Sequence, residues 1–222
     1  MKKLMFLSLC LVALTAMGQS KYCLTYADFI SDNWQECNVQ EFVKESQKRI
    51  DKQKSLGIEV DKYDLQTELY LPKTGNKKTD KYLLKNAIMI MHNDSLYVNC
   101  SNFCVRNTRL GNCFAKGYRM KDCDRILFRT TLLRSEALSR AGAARYMFGV
   151  VGHVVATNTI NRNARCYILN MDSETVELVD EKLMLGLLSG SNELSEQYKQ
   201  EESKTKEHAD IVMDYLKKAG LW

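Results

Sequence analysis

The chain has 222 residues, of which 45% are hydrophobic and 27% charged, and its formal net charge is +5 at pH 7. These proportions match ordinary globular proteins and exclude a wholly disordered chain, a collagen-like repeat and a polytopic membrane protein. The length fits one large domain or two small ones; with Pro72 as the only proline, no Pro/Ser linker and no internal repeat, a single domain over 19–222 is the economical expectation.

Lys2 and Lys3 precede an apolar run over 4–14, and Ala16-Met17-Gly18 places small residues at the −3 and −1 positions of a peptidase site. A charged start, a short apolar stretch and small residues at the cut are the marks of a secretory signal peptide over 1–18. The run is too short to cross a bilayer, which needs about 20 apolar residues. Cleavage would leave Gln19 first, a mature chain of 204 residues, a net charge of +3 and seven cysteines.

An aromatic-rich segment over 22–30 comes next, with Thr25 and Asp28 spaced as a capping pair ahead of a short helix. The stretch 38–65 is highly polar and reads as a solvated surface segment. Apolar runs at 82–91 (YLLKNAIMIM) and 96–100 (LYVNC), separated by His92-Asn93-Asp94-Ser95, predict a β-hairpin. A buried helix leading into a strand is expected over 141–156, with a peripheral membrane contact as the alternative. Runs at 166–169 (CYIL) and 175–179 (TVELV) predict a second hairpin. Asp180 suits the start of a helix through Leu188, and 192–218 reads as helical with a break near Glu201. Leu194, Tyr198, Ile211, Val212, Tyr215 and Leu216 form its apolar stripe, and Gly220 its cap. The expected fold class is α+β, an antiparallel sheet built from hairpins with C-terminal helices packed on it.

The mild net charge is a cancellation. Residues 19–100 carry 12 basic and 12 acidic side chains, 101–170 carry 12 against 3, and 171–222 carry 6 against 12. Ten of the middle twelve are arginines, whose planar fork matches carboxylates and phosphates. Arg106, Arg109, Arg119, Arg125, Arg129 and Arg134 are therefore the candidate anion-binding residues. Two kinds of anion fit. One is internal, the acidic C-terminal helices lying over the basic middle; the other is an external ligand such as an acidic glycan, a lipid phosphate or an acidic protein. Nucleic acid fits less well. Phe103, Phe114, Tyr118 and Phe128 interleave with the arginines, but such alternation is the pattern of a core, and export argues against a genomic partner.

Cys23, Cys37, Cys100, Cys104, Cys113 and Cys123 are the disulfide candidates in an oxidising compartment, with pairings that spacing alone does not fix. Only Cys100 and Cys104 have the close spacing of a zinc pair, so no metal is expected. His153 could serve Cys166 as the base of a thiol nucleophile, the weak catalytic candidates, although CYIL reads as a strand interior. No G-x-S-x-G, H-E-x-x-H, P-loop or dinucleotide fingerprint is present, and no cofactor is implied.

YCLTYADF at 22–29, DKYLLKNAI at 80–88, DSLYVNC at 94–100 and YILN-x₄-TVELVDEKLMLGLL at 167–188, together with the leader and a start at Gln19, resemble a family of small exported Bacteroidetes proteins known only as a domain of unknown function. The resemblance implies a Gram-negative envelope location, periplasm or cell surface, and no activity. Asp94-Ser95-Leu96 also resembles the O-glycosylation acceptor of those bacteria, which marks Ser95. The expectation is a non-enzymatic envelope binding module using the Arg-rich block. The alternatives are an enzyme acting on envelope material through an unrecognised site, or a purely structural protein; the sequence sets no oligomeric state.

Overall fold

The computed structural model describes residues 20–46, 55, 68–101, 103–105, 108–110, 112–121, 124–131 and 164–222. In chain order these form β1 (Ser20–Cys23), α1 (Tyr26–Ile30), β2 (Gln35–Cys37), β3 (Glu41–Lys44), β4 (Leu69–Lys73), α2 (Lys77–Asn86), β5 (Met89–His92) and β6 (Ser95–Asn99). There follow β7 (Cys104–Val105), β8 (Thr108–Arg109), β9 (Phe114–Arg119), β10 (Arg125–Thr131), β11 (Ala164–Asn170), β12 (Thr175–Leu178), α3 (Glu181–Leu187), α4 (Asn192–Gln200) and α5 (Ala209–Lys218). The expected leader, the 141–156 helix, His153, Arg106, Arg134 and Cys123 lie outside the described residues.

Ten strands make one sheet in the order β12-β11-β10-β9-β6-β5-β1-β2, with β3 joined through β4. Strand β9 is its axis. One edge pairs with β6 from Phe114 to Gly117; the other is shared, β4 meeting Phe114 and Ala115 and β10 meeting Gly117 to Arg119. Gly117 is needed where these strands crowd together: a Cβ there would lie 2.8 Å from Val98 Cγ2 and 2.9 Å from Ile126 Cγ2.

Side chains alternate across the sheet. One face buries Met89, Leu96, Val98, Ala115, Ile126, Phe128, Tyr167 and Leu169, with Phe29 of α1 against them. The other face is divided. Leu127, Cys166 and Ile168 pack under Met184, Tyr198, Val212, Tyr215 and Leu216 of the C-terminal helices, while Ile90 and Phe114 pack under Leu83 of α2 and Val39. Each large apolar side chain so buried contributes roughly 1.5–3 kcal/mol.

The α+β class expected from the hairpins is the class found, with the helices mostly C-terminal. Between β5 and β6 the loop is the two residues Asn93 and Asp94, at φ 46° and 56°, the left-handed pair that a tight hairpin of this kind requires. Thr25 and Asp28 form a reciprocal capping box, and Asp180 caps α3 through the Leu183 N–H. The C-terminal helical stretch is interrupted between Gln200 and Ala209, around the expected break.

Two expectations are corrected. The first half of the 82–91 run is not strand: Asn76 accepts from the N–H groups of Lys78 and Thr79 and starts α2, which carries Tyr82 to Asn86 as helix and leaves only Met89 to His92 extended. A continuous apolar run has no period that separates the two. Within 38–65, Val39 is buried at 2% exposure, and β3 pairs with β4 from Glu41 to Lys44. The described start of that segment, 38–46, enters the fold, and there Phe42 stacks on Tyr97 with ring centroids 3.7 Å apart.

Candidate binding site

The two helix ends at 30–34 and 218–222 are built alike. After α1, the Asn33 N–H donates to Asp28 C=O (2.8 Å) and the Asp32 N–H to Phe29 C=O (3.3 Å), with Asp32 at φ 55°. After α5, the Leu221 N–H donates to Leu216 C=O (3.0 Å) and the Gly220 N–H to Lys217 C=O (2.9 Å), with Gly220 at φ 67°. Both are Schellman closures, in which a left-handed residue turns the chain back over the helix end. Each turn delivers a tryptophan two residues later, Trp34 and Trp222. A bond from the Lys121 N–H to Leu221 C=O (2.8 Å) fixes the second against the end of β9.

The chain has two tryptophans, and both line one notch of about 480 Å³. Its floor is Met91, Leu96 and Gly117; its walls include Phe29, Trp34, Tyr118 and Trp222; its charged groups are Lys21, Lys116, Arg119, Asp32 and Asp94. The register explains the position. Leu96 pairs with Gly117, so β9 runs on through Tyr118 and Arg119 past the turn that begins β6. Lys116 and Tyr118 point to one side of the strand, Gly117 and Arg119 to the other, and the notch therefore wraps the end of the sheet.

The cations are held on rings. Lys21 Nζ lies 5.0 Å from the Trp34 ring centroid, the Arg119 guanidinium 5.5 Å from that of Phe29, and Lys116 Nζ 6.0 Å from that of Tyr118. Such contacts contribute about 0.5–1 kcal/mol each at exposed sites and leave the N–H groups free to donate elsewhere. The carboxylates are loose partners: Asp32 is 3.9 Å from Lys21, and Asp124 is 3.7 Å from Arg119. Lys116 has no carboxylate within ion-pair distance among the described residues. Asp32 has a second role, accepting from the Trp34 indole N–H at 2.6 Å. The Trp222 ring is set by contact with Tyr118, centroids 4.6 Å apart, and its indole N–H finds no hydrogen-bond partner among the described residues. Burial raises the Tyr118 phenol above its ordinary range, so it remains a neutral donor at physiological pH.

Of the arginines expected to bind an anion, Arg119 lines the notch with its side chain 60% exposed. Arg129 is directed inward: Nε and Nη2 hold both oxygens of Glu68, and Nη1 donates to Asp210 Oδ1 at 2.6 Å. This is the internal pairing of middle block and C-terminal helices weighed from the charge pattern. Arg125 begins β10 opposite Asn170, its C=O accepting from the Met120 N–H at 3.0 Å, and is not among the residues lining the notch; Arg109 lies on β8. Ser95, the expected glycosylation acceptor, pairs with His92 across the turn and lines the notch.

Cys166 lies beneath α5 at 0% exposure, its thiol donating to Ala209 C=O at 3.6 Å. Burial pushes that thiol up to about 12, the reverse of what a nucleophile needs. Cys23 and Cys100 are buried, Cys37 is half-buried and Cys104 exposed, all as thiols; the Cys100 N–H donates to Cys113 C=O across the sheet at 2.8 Å. Among the described residues no three His, Cys, Asp or Glu side chains converge as a metal site. No described helix is long and apolar enough to cross a membrane.

Sequence reasoning found Arg119, marked Ser95 as an acceptor and set Tyr118 down as core; it missed Lys21, Trp34, Lys116 and Trp222. The signal was present in the tryptophans, each two residues past a residue suited to a left-handed helix cap.

Fold and site together describe an α+β sheet protein with an aromatic, cation-flanked notch at one end of the sheet. Residues 21–221 match DUF6563, a family of unknown function, and the chain belongs to that family. Neither the curated proteins nor the solved structures give a match to it.

Proposed function

We propose that this protein is an exported, non-enzymatic binding module of the Gram-negative envelope that takes an anionic ligand in the notch. The observation that carries the reading is the convergence of Lys21, Lys116 and Arg119 on one cavity, each laid on an aromatic ring. Arginines bound to internal carboxylates, as Arg129 is, have little left to offer a ligand; Arg119 and Lys116 retain theirs. Pockets of this volume lie within the ~300–1,000 Å³ of small-ligand sites, where a few placed polar groups orient a ligand against apolar walls.

The test offers the mature chain, beginning at Gln19, anionic oligosaccharides, anionic phospholipid vesicles and neutral counterparts over a salt series. Anion-selective binding that weakens with salt, and weakens again in Lys116→Met and Arg119→Met, is expected. Equal binding of the neutral counterparts, or no dependence on salt, would contradict the reading. An intact mass of the exported protein starting at Gln19 tests the leader, and added hexose mass lost in Ser95→Ala tests the acceptor.

A further inference from the structure

We infer that the notch recognises a saccharide, with a sugar ring against the indoles and its carboxylate on Lys116; this rests on the anion-binding reading and narrows it. Three features of the cavity point the same way. Two indoles and the Tyr118 phenol supply the flat apolar surfaces on which the C–H faces of a pyranose ring lie. Indole and phenol rings combine an apolar body with a polar edge, which suits a ligand that alternates C–H and O–H groups.

The charges in the notch are mixed. Asp32 and Asp94 share it with Lys21, Lys116 and Arg119. Two carboxylates at the rim repel a dense anion such as a phosphate ester or a polyphosphate. Toward a sugar they are acceptors for ring hydroxyls, while the ammonium and guanidinium groups donate to ring and hydroxyl oxygens. Of the three cations in the notch, Lys116 alone has no carboxylate within ion-pair distance among the described residues, which matches the single negative charge of a uronic acid or another carboxylated sugar. A site built for phosphate would instead gather backbone N–H groups or a bidentate arginine; here Arg119 already faces Asp124.

Both tryptophans of the chain line this cavity, so indole emission, excited selectively over the eleven tyrosines, comes from the notch. The mature, full-length chain is titrated with a uronate panel (oligogalacturonate, oligomannuronate, oligoguluronate and hyaluronan fragments), with neutral oligosaccharides of equal length, and with tripolyphosphate. A saturable change in indole emission is expected with at least one uronate, and about tenfold weaker binding of it by Lys116→Met, as loss of one charge-assisted contact implies. Trp222→Phe is expected to shrink the signal and weaken binding, with Trp34→Phe as the second variant should Trp222→Phe fail to fold, as judged by circular dichroism. Saturable binding of tripolyphosphate with none of any uronate overturns the saccharide inference and leaves the anion-binding reading standing. Neutral sugars bound as tightly as uronates overturn both the carboxylate assignment and the anion-binding reading. No response to any member overturns both.

Discussion

Trp34 and Trp222 stand in the same relation to two different helices, each two residues past a left-handed cap, Asp32 in one case and Gly220 in the other. Helix termination and site construction are thus one event at both ends of the notch. The caps differ in what they can tolerate. Gly220 has no Cβ and takes its φ freely, whereas Asp32 holds an uncommon conformation for a side-chain-bearing residue and retains it beside a cavity, where such strain is characteristically stored.

Gly220→Ala places a Cβ at φ 67° and is expected to destabilise the fold by about 1 kcal/mol. Asp32→Gly relieves the backbone but removes the acceptor of the Trp34 indole N–H, so stability changes little while Trp34 emission shifts to the red. Urea titration checks the first effect, and steady-state emission of a Trp222→Phe background checks the second.

Gly117→Ala is expected to cost about 1–3 kcal/mol, because the added methyl meets Val98 and Ile126 well inside contact distance and both belong to the buried face. The urea midpoint should fall with an unchanged slope. A variant as stable as the wild type would show that β6 and β10 can move apart at this point.

His92 is buried beneath Phe42, with Nδ1 2.7 Å from Ser20 Oγ and Nε2 3.1 Å from Asn93 Nδ2. Burial holds its pKa below the ordinary 6.5. The unfolded chain therefore binds this proton more readily than the folded one, so the contribution is fully present above pH 6.5 and declines as pH falls below it. His208, lowered by burial and by Arg165, acts in the same direction. Thermal melts from pH 7.5 to 5 should show falling stability, and His92→Gln should flatten part of the slope.

Thiol accessibility follows burial. Among the described cysteines Cys104 is exposed and should be the first to react with a thiol reagent in the native protein, whereas Cys166 reacts only on unfolding. Cys166→Ala should leave ligand affinity unchanged and lower stability by about 1 kcal/mol.

Local signals carried much of the fold. The Thr25–Asp28 pair, Asp180 and Gly220 mark helix ends through hydrogen bonds made within a few residues, and Asn93-Asp94 marks a tight turn through its own backbone preference; all can be read from short windows. What those windows miss is tertiary. Tyr82 to Asn86 is helical because Asn76 starts a helix that then lays Leu83 against Phe114, a contact between distant parts of the chain. Val39 and β3 hide in a polar stretch because charged side chains there point outward while the strand between them pairs with β4. In the notch, Arg119 was marked as an anion binder and Ser95 as an acceptor. The other members come from β1, α1 and the segment after it, β5, β6, β9 and the last residue, and the sheet register together with the two helix caps joins them.

The most direct measurement compares Arg119→Met with Arg129→Met in a binding titration of an acidic oligosaccharide at low and moderate salt, with melting curves on both variants. The notch account predicts that Arg119→Met weakens binding and reduces its salt dependence while melting near the wild type. Arg129→Met, which strips Glu68 and Asp210 of their partner, should melt lower and bind as the wild type does. Unchanged affinity in Arg119→Met, or lost affinity in a folded Arg129→Met, would contradict the account.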